Sequence, residues 1–552
     1  MQRLTTLTMP SEGPTFEAKA LLKGLNERLA HLVERALVLE MHLGASRGKL
    51  HGDTPTERYS RFMSDCCRPR SALDLMKEYP VLARLLIEEV DTWVESSVEF
   101  GARLLADWPE LQVLTGEVTI GTLTHLERTG DRHSKRCTLI ATFASGLRLV
   151  YKPRSLAVDT HFQAALDWLN CCGWSPAFRT LWVLERESYG WVEFVDWQPC
   201  CSEAEVRRFY QRAGGYLALL YILGGTDFYY ENVVATGEHP VLVDLEGLLQ
   251  PIWPGEVSGA EARLKAAQWT SVLRLGLLPC RVVAEDGTEA VDISALSAEP
   301  GALLPKAKPH WQEPGTDRMR LLWLRSGRIG HSHRPRLDDA LPSAAKYKPQ
   351  ILAGFDVAYR LLAERREEWL APGGILDRFA LAEVRVLCRP TWTYARTLGE
   401  SLAPNRLRCE RGRGDFLAQL GRLELPSAED LLRCELSDLD RGDIPRFVAH
   451  PASRDLWGSD LHLKDFFTLS GLSAAATRLQ GLNEADRQRQ RWLVEASLLT
   501  PRRERCRVLS DGPTVDWEAL MAAALAIGER LEREAVLGNE DATWWVAVPR
   551  PR

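Results

Sequence analysis

The chain has 552 residues, 45% of them hydrophobic, and a formal net charge of −6 at neutral pH. That length can bury a large core and calls for more than one lobe, while so small a charge gives no global reason to expect a nucleic acid or an anionic membrane as partner. Met1-Gln2-Arg3-Leu4-Thr5 lacks the charged-then-apolar pattern of a signal peptide, and no apolar run is long enough to span a bilayer, so a cytoplasmic location is expected.

Helical periodicity dominates roughly the first hundred residues, with Leu25, Leu29, Leu32, Val33, Ala36 and Leu37 recurring at three and four. From Glu117 the texture changes to short alternating stretches: Val118-Thr119-Ile120, Cys137 to Phe143, and Leu147 to Tyr151. Gly130-Asp131 and Ser145-Gly146 punctuate them, so two consecutive hairpins are expected, with His133 following the Gly-Asp turn. A helix capped by Asp159 should bury Phe162, Ala165, Leu166 and Leu169. Strands follow near Leu181–Leu184 and Gly190–Phe194.

A long amphipathic helix starts near Ser202, whose partner Glu205 completes a capping box, and ends at Gly224-Gly225. It leads directly into Asp227. The strand Val241-Leu242-Val243-Asp244 then closes this loop, with Gly237 to Pro240 as its turn. The stretch from Ala295 to His333 mixes Gly and Pro with Arg318, Arg320, Arg325 and Arg328 and reads as loop-rich and locally basic. Helices return at Tyr347 to Trp369 and from Ala428 onward.

Of the twelve cysteines, six form the adjacent pairs Cys66-Cys67, Cys171-Cys172 and Cys200-Cys201, and no Cys-x-x-Cys occurs. Neighbouring cysteines do not make an ordinary bridge with each other, and zinc ligands come at wider gaps, so reduced thiols and no zinc are expected.

Three points carry chemistry. Lys152 ends a strand, where an ammonium can neutralise nucleotide phosphates. Asp227 and Asn232 have the Asp-to-Asn interval of a kinase catalytic loop, and Asp244 follows about where a kinase places its metal-binding Asp. In that reading Asp227 orients or deprotonates a substrate hydroxyl, while Asn232, Asp244 and Glu246 offer oxygens to Mg²⁺. The His-Arg-Asp and Asp-Phe-Gly triplets are absent, as are any Gly-rich phosphate loop and any Walker A sequence. This is not an ordinary protein kinase.

The surrounding segments identify a closer kinship. Gly130-Asp131-Arg132-His133, Tyr151-Lys152-Pro153-Arg154-Ser155-Leu156, Tyr189 to Phe194, Thr226 to Asn232 and Arg385 to Tyr394 resemble, in order, the dehydratase domain of LanM, the type 2 lanthipeptide synthetase. The likeness runs from about Tyr79 to Gly442-Asp443-Ile444-Pro445. It implies an α+β fold with a two-lobed, lipid-kinase-like core: a helical region at 1–115, a β-rich lobe at 116–200, a largely helical lobe at 201–425 and a C-terminal helical region at 426–552. It also implies an ATP- and Mg²⁺-dependent enzyme acting on a precursor peptide with a leader, which phosphorylates Ser/Thr and eliminates phosphate to leave dehydroalanine or dehydrobutyrine.

Residue by residue, the resemblance assigns Lys152 to phosphorylation and Arg385 and Thr391 to elimination, with Arg389 and Tyr394 as helpers. Arg154 and His133 stand where they can touch the nucleotide. Tyr229 occupies the position of a family His, and a phenol exchanges protons far less readily than imidazole near neutral pH. Two alternatives follow: a peptide kinase that has lost elimination, or a peptide-binding pseudokinase. No Cys-His dipeptide of the family's zinc cyclase occurs, which suggests a standalone or truncated dehydratase working beside a separate cyclase.

Overall fold

The computed structural model describes residues 15–16, 18–116, 121–254, 268–422 and 428–498. The expected strand at Val118-Thr119-Ile120 and the part of the expected C-terminal helical region beyond 498 lie outside these.

Helices and sheets mix as expected. The N-terminal periodicity becomes the helices Leu25–Ser46, Pro55–Cys66, Pro69–Glu78 and Pro80–Thr115. Proline stands at the start of the last three, where its missing N–H costs nothing. Helix Pro80–Thr115 presents Phe100, Leu104, Trp108 and Leu111 to the apolar face of a six-stranded sheet, where they meet Leu126, Leu139, Tyr151 and Trp191.

That sheet runs, edge to edge, Thr15–Phe16, Thr122–His133, Arg136–Phe143, Arg148–Lys152, Gly190–Glu193 and Val183–Glu185. Leu149 pairs with Glu193 and Lys152 with Gly190, so Lys152 is the last paired residue of its strand. The first hairpin differs from expectation. Its turn is not at Gly130-Asp131 but at Ser134-Lys135, both left-handed at φ 46° and 67°, a geometry that matches the twist of two paired strands. Gly130 and Asp131 instead fall in an irregularity of strand Thr122–His133, between the pairs Thr129–Thr138 and His133–Arg136. Such interruptions re-aim side chains, and this one carries Asp131 and His133.

Helix Ala157–Cys171 starts two residues before its expected cap. Leu156 occupies the cap position without a side-chain bond, and Asp159 lies inside the first turn with its carboxylate turned to basic partners. The helix expected from Ser202 spans Glu203–Ile222. Ser202 accepts a hydrogen bond from Glu205 N, and the Glu205 carboxylate reaches back to Cys201 N at 2.7 Å. From Phe209 onward it is buried nearly all round, crossed by helix Lys348–Glu364. The two backbones nearly touch: a Cβ on Gly214 would stand 2.0 Å from the Ile351 carbonyl, and one on Gly354 would stand 1.9 Å from that of Gln211. Only glycine permits this crossing, which anchors the largest core, including Tyr216, Leu220, Phe228, Leu245, Ile351 and Phe355.

The Ala295 to His333 stretch is more ordered than its composition implied, for it contains the antiparallel hairpin Lys308–Gln312 and Arg320–Leu324. The expected helix at Tyr347–Trp369 divides into Lys348–Glu364 and Arg366–Leu370. A four-stranded sheet, Val384–Val386, Phe447–Ala449, Leu456–Gly458 and Leu461–Leu463, brings the Arg385 segment beside residues some sixty positions later. The cysteines of the described residues are free thiols. No described helix is long and apolar enough to cross a membrane.

Candidate active site

Asp227 sits where the chain leaves the buried helix Glu203–Ile222. Its backbone is left-handed, at φ 71°, a conformation that costs an ordinary residue energy and persists only where the surroundings enforce it. The enforcing contacts are visible. Phe228 is fully buried, its N–H bonded to Leu275 O, and Asn232 Nδ2 donates to the Asp227 carbonyl at 2.7 Å. Thr226 N bonds to Gly247 O at 3.0 Å and Val243 N to Asn232 O at 3.1 Å, so the Asp227 loop and the Asp244 segment run side by side. A Cβ on Gly247 would lie 2.4 Å from Thr226 O, which reserves that position for glycine.

The strand end holding Lys152 faces this pair of loops. Lys152 is buried; its ammonium donates to Val243 O at 2.8 Å and to Asp159 at 3.2 Å. Asp159, also buried, takes a second bond from Arg154 at 2.8 Å. Arg154 continues to Asp244 at 3.3 Å and to Glu246 at 3.5 Å. Burial disfavours the charged form of Asp159, but Arg154 and Lys152 together hold it below the usual carboxylate range. By sequence, Asp159 reads as a helix cap. The signal that such a reading misses is spacing: an acid one helical entry beyond two basic residues at a strand end can turn back onto both.

Glu246 is the hub of the other half. Arg385 donates to it at 2.9 Å, Arg446 lies at 3.7 Å, and Arg385 also approaches Asp131 at 3.6 Å. Burial would raise the Glu246 carboxyl, yet Arg385, Arg154 and Arg446 hold it far below its ordinary value. Asp244 is different. Burial and the neighbouring Glu246 raise it, against the pull of Lys152 and Arg154.

Two further shifts bear on proton movement. Burial and the nearby Asp244 push the Asp227 carboxyl up to about 7. Burial, assisted by Arg385, drives His133 down to about 4, so its ring is neutral at ordinary pH, with Nδ1 2.7 Å from Ile444 O. Tyr229 is pushed up to about 12, mainly by burial and by Cys280 beside it, and remains a phenol.

Thus Lys152, Arg154, Asp244, Glu246 and Arg385 join through ion pairs, with Asp227 and His133 near enough to feel the same charges. Thr391 opens the helix Thr391–Ser401, and Arg385's ion-pair partners are Glu246 and Asp131. Arg389 and Tyr394 are drawn elsewhere: both donate to the fully buried Glu435, at 2.8 and 2.6 Å, so their evident work is to neutralise a core carboxylate. Asp131 lies in a segment that carries the resemblance but has no role assigned by sequence, and Arg446 lies outside every such segment, because nothing local marks residues whose partners lie hundreds of positions away.

For Mg²⁺ the donors divide. Asp244 is partly exposed, and Asn232, whose amide nitrogen is turned to the Asp227 carbonyl, keeps its oxygen for another partner. A carboxylate, an amide oxygen and substrate phosphates are a fitting set for that ion. Glu246, ringed by guanidinium groups, suits an anchoring role better than a ligand's. Among the described residues there is no cluster of three or more His, Cys, Asp or Glu side chains suited to a metal.

Comparison with known proteins agrees with the motifs. The curated Lactococcus lactis subsp. lactis protein described as "Lacticin 481/lactococcin biosynthesis protein LcnDR2" is 23% identical over 545 residues, covering 94% of this chain and 57% of its own length. The chain thus spans little more than half of that relative. A solved Thermobifida fusca structure, provisionally described as a fructosamine-3-kinase, matches 55% of this chain and 97% of its own at 14% identity, but with a TM-score of 0.17 it carries no argument. The profile described as "Domain of unknown function (DUF4135)" matches residues 79–450, most of the chain and every motif above, so the protein belongs to that LanM-associated family.

Proposed function

We propose that the chain is the dehydrating part of a lanthipeptide-modifying system: it phosphorylates Ser/Thr of a precursor peptide with ATP and then eliminates the phosphate. The observation that supports this most is the unbroken series of ion pairs from Lys152 through Asp159, Arg154 and Glu246 to Arg385. One series links the residues needed for transfer to the arginine needed for elimination.

In the transfer step Lys152, pre-positioned by Asp159, receives the α- and β-phosphates, and Arg154 adds charge beside them. Asp244 and Asn232 would hold Mg²⁺, which when bound would supply charge neutralisation on the phosphates. Asp227, with a carboxyl near 7, is poised to take the hydroxyl proton at neutral pH as the oxygen attacks the γ-phosphorus and the bond from that phosphorus to the β–γ bridging oxygen breaks, its electron pair leaving with ADP. The rigid loop around it fixes the angle of approach.

Elimination asks for a base at the α-carbon and cations at the departing oxygen. Arg385 offers a two-pronged donor for phosphate, with Thr391 as a second contact. His133 is neutral; when Nδ1–H donates to Ile444 O, its Nε2 is left as an acceptor for the α-proton. A cavity of about 300 Å³ lined by Asp131, Arg132, Leu398, Leu402 and Ile444 adjoins this end of the site and is a natural approach for peptide.

Mass analysis of the neighbouring precursor peptide after incubation with ATP and Mg²⁺ tests the reading: loss of water is expected, and unchanged peptide overturns it. The buried, un-ionised Tyr229 favours one second reading, a kinase without elimination, whose product is a stable phosphopeptide. Such a product has no Cα=Cβ bond for a cysteine thiol to add to, so thioether rings would require a separate phosphate lyase as well as a cyclase.

A further inference from the structure

Arg446 lies outside every motif that carried the resemblance, yet the fold delivers it to Glu246. In the antiparallel pairing of Val384–Val386 with Phe447–Ala449, Arg385 stands opposite Val448 and Val386 opposite Phe447. Cross-strand partners project to the same face, and residues two apart on one strand do so too. Arg446 is two before Val448. Continued through the strand end, that alternation directs Arg446 to the same side as Arg385, and both reach the Glu246 carboxylate, at 3.7 and 2.9 Å on its two different oxygens.

The two guanidiniums are not equally occupied. Arg446 Nη1 is paired with Glu383 at 2.5 Å. Its Nη2 is buried and donates no hydrogen bond among the described residues. A buried, under-used guanidinium nitrogen is costly unless some state of the protein employs it. Its surroundings select the chemistry of that state: Arg154, Arg385 and Arg446 converge on a single carboxylate, each also paired with a further acid, and the planar fork of a guanidinium suits a phosphate oxygen.

We propose that Arg446 is a second phosphate-binding residue for the elimination step, acting with Arg385 on the phosphoryl group of the phosphorylated peptide and on the released orthophosphate. The proposal rests on the dehydratase reading. In the step, the α-proton passes to the site's base, the C–H electron pair becomes the Cα=Cβ bond, and the Cβ–O bond breaks with its pair retained by the phosphate oxygen. Two guanidiniums on that leaving group stabilise the charge it gains.

The test uses the full chain with a synthetic phosphoserine form of the precursor peptide, alongside unmodified peptide with ATP and Mg²⁺. Arg446→Gln should slow elimination from the phosphopeptide at least tenfold, make phosphopeptide accumulate in the full reaction, and weaken product inhibition by inorganic phosphate at least tenfold. Arg446→Lys should recover part of the inhibition, because it restores charge without the fork. Glu383→Gln removes that ion pair but not the proposed contact and should eliminate like wild type.

Equal elimination and equal phosphate inhibition in wild type and Arg446→Gln overturn the proposal while leaving the dehydratase reading intact. If Arg446→Gln does not fold, wild-type values in Arg446→Lys overturn it in the same way. Loss of elimination in Glu383→Gln to the same degree assigns Arg446 to structure alone and also overturns it. A wild-type protein that leaves both peptides unchanged defeats the underlying reading instead.

Discussion

Arg385 is tied to Glu246 twice: its Nη1 donates to the Glu246 carboxylate at 2.9 Å, and its main-chain N–H donates to the Glu246 carbonyl at 2.8 Å. The second bond fixes where the strand of Arg385 lies against the Asp244–Glu246 segment; the first sets where its guanidinium points. Because Glu246 also meets Arg154, the segment assigned to phosphate release is mechanically continuous with the one assigned to phosphate transfer. Substitutions should nevertheless separate the two.

Asp244→Ala should return unmodified peptide. Removing the carboxylate proposed for Mg²⁺ prevents transfer from starting, so mass spectra should contain neither phosphorylated nor dehydrated product. Accumulated phosphopeptide in this variant would place Asp244 in the second step instead.

Arg385→Ala should accumulate phosphopeptide, with elimination slowed by about 10²–10³-fold, the usual loss when one donor to a developing anion is removed. Thr391→Ala should shift the product ratio in the same direction. Unmodified peptide from folded Arg385→Ala would assign this arginine to nucleotide or peptide binding.

The rate of phosphorylation at low peptide concentration should rise with pH through about 7, because the Asp227 carboxyl must be ionised to accept the hydroxyl proton. Asp227→Asn should abolish that limb and lower the rate by about 10²–10⁴-fold. Stability carries the opposite sign. The folded state holds the Asp227 proton up to about 7, the unfolded chain only to about 3.8, so this group's stabilising contribution is complete below that lower value and is lost as pH rises to 7. The Tm of Asp227→Asn relative to wild type should therefore climb between pH 4 and 7 and level off above, as scanning calorimetry can measure.

Tyr229→Phe should phosphorylate peptide within a few fold of wild type, since a phenol pushed up to about 12 does not exchange protons at neutral pH. If wild type stops at phosphopeptide, Tyr229→His should restore release of phosphate. A large loss of transfer in Tyr229→Phe would assign the hydroxyl to that step.

Glu435→Ala should destabilise the fold by about 3–5 kcal/mol, because it leaves the buried Arg389 charge without this partner. Both half-reactions should fall together, in parallel with Tm. Loss of elimination alone, at unchanged Tm, would return Arg389 and Tyr394 to the chemistry.

The sequence by itself determined much of the local architecture and the order of the parts. Periodicity located the helix Glu203–Ile222, alternation located the strands flanking Lys152, and the Asp227-to-Asn232 interval with Asp244 marked the loop on which chemistry is proposed. These are local matters of propensity, capping and spacing, so a linear reading reaches them. The tertiary structure alone decided the partners. Asp159 reads as a helix cap until the strand end of Lys152 is folded against it. Arg389 reads as a neighbour of Arg385, yet the strand ends at Val386 between them, and packing delivers one to Glu435 and the other to Glu246. Arg446 reads as one of many surface arginines, and only strand pairing with Val384–Val386 brings it to the same carboxylate as Arg385. Charge pairing in a buried site depends on which residues the chain returns to one place, and that return is set by the packing of distant segments.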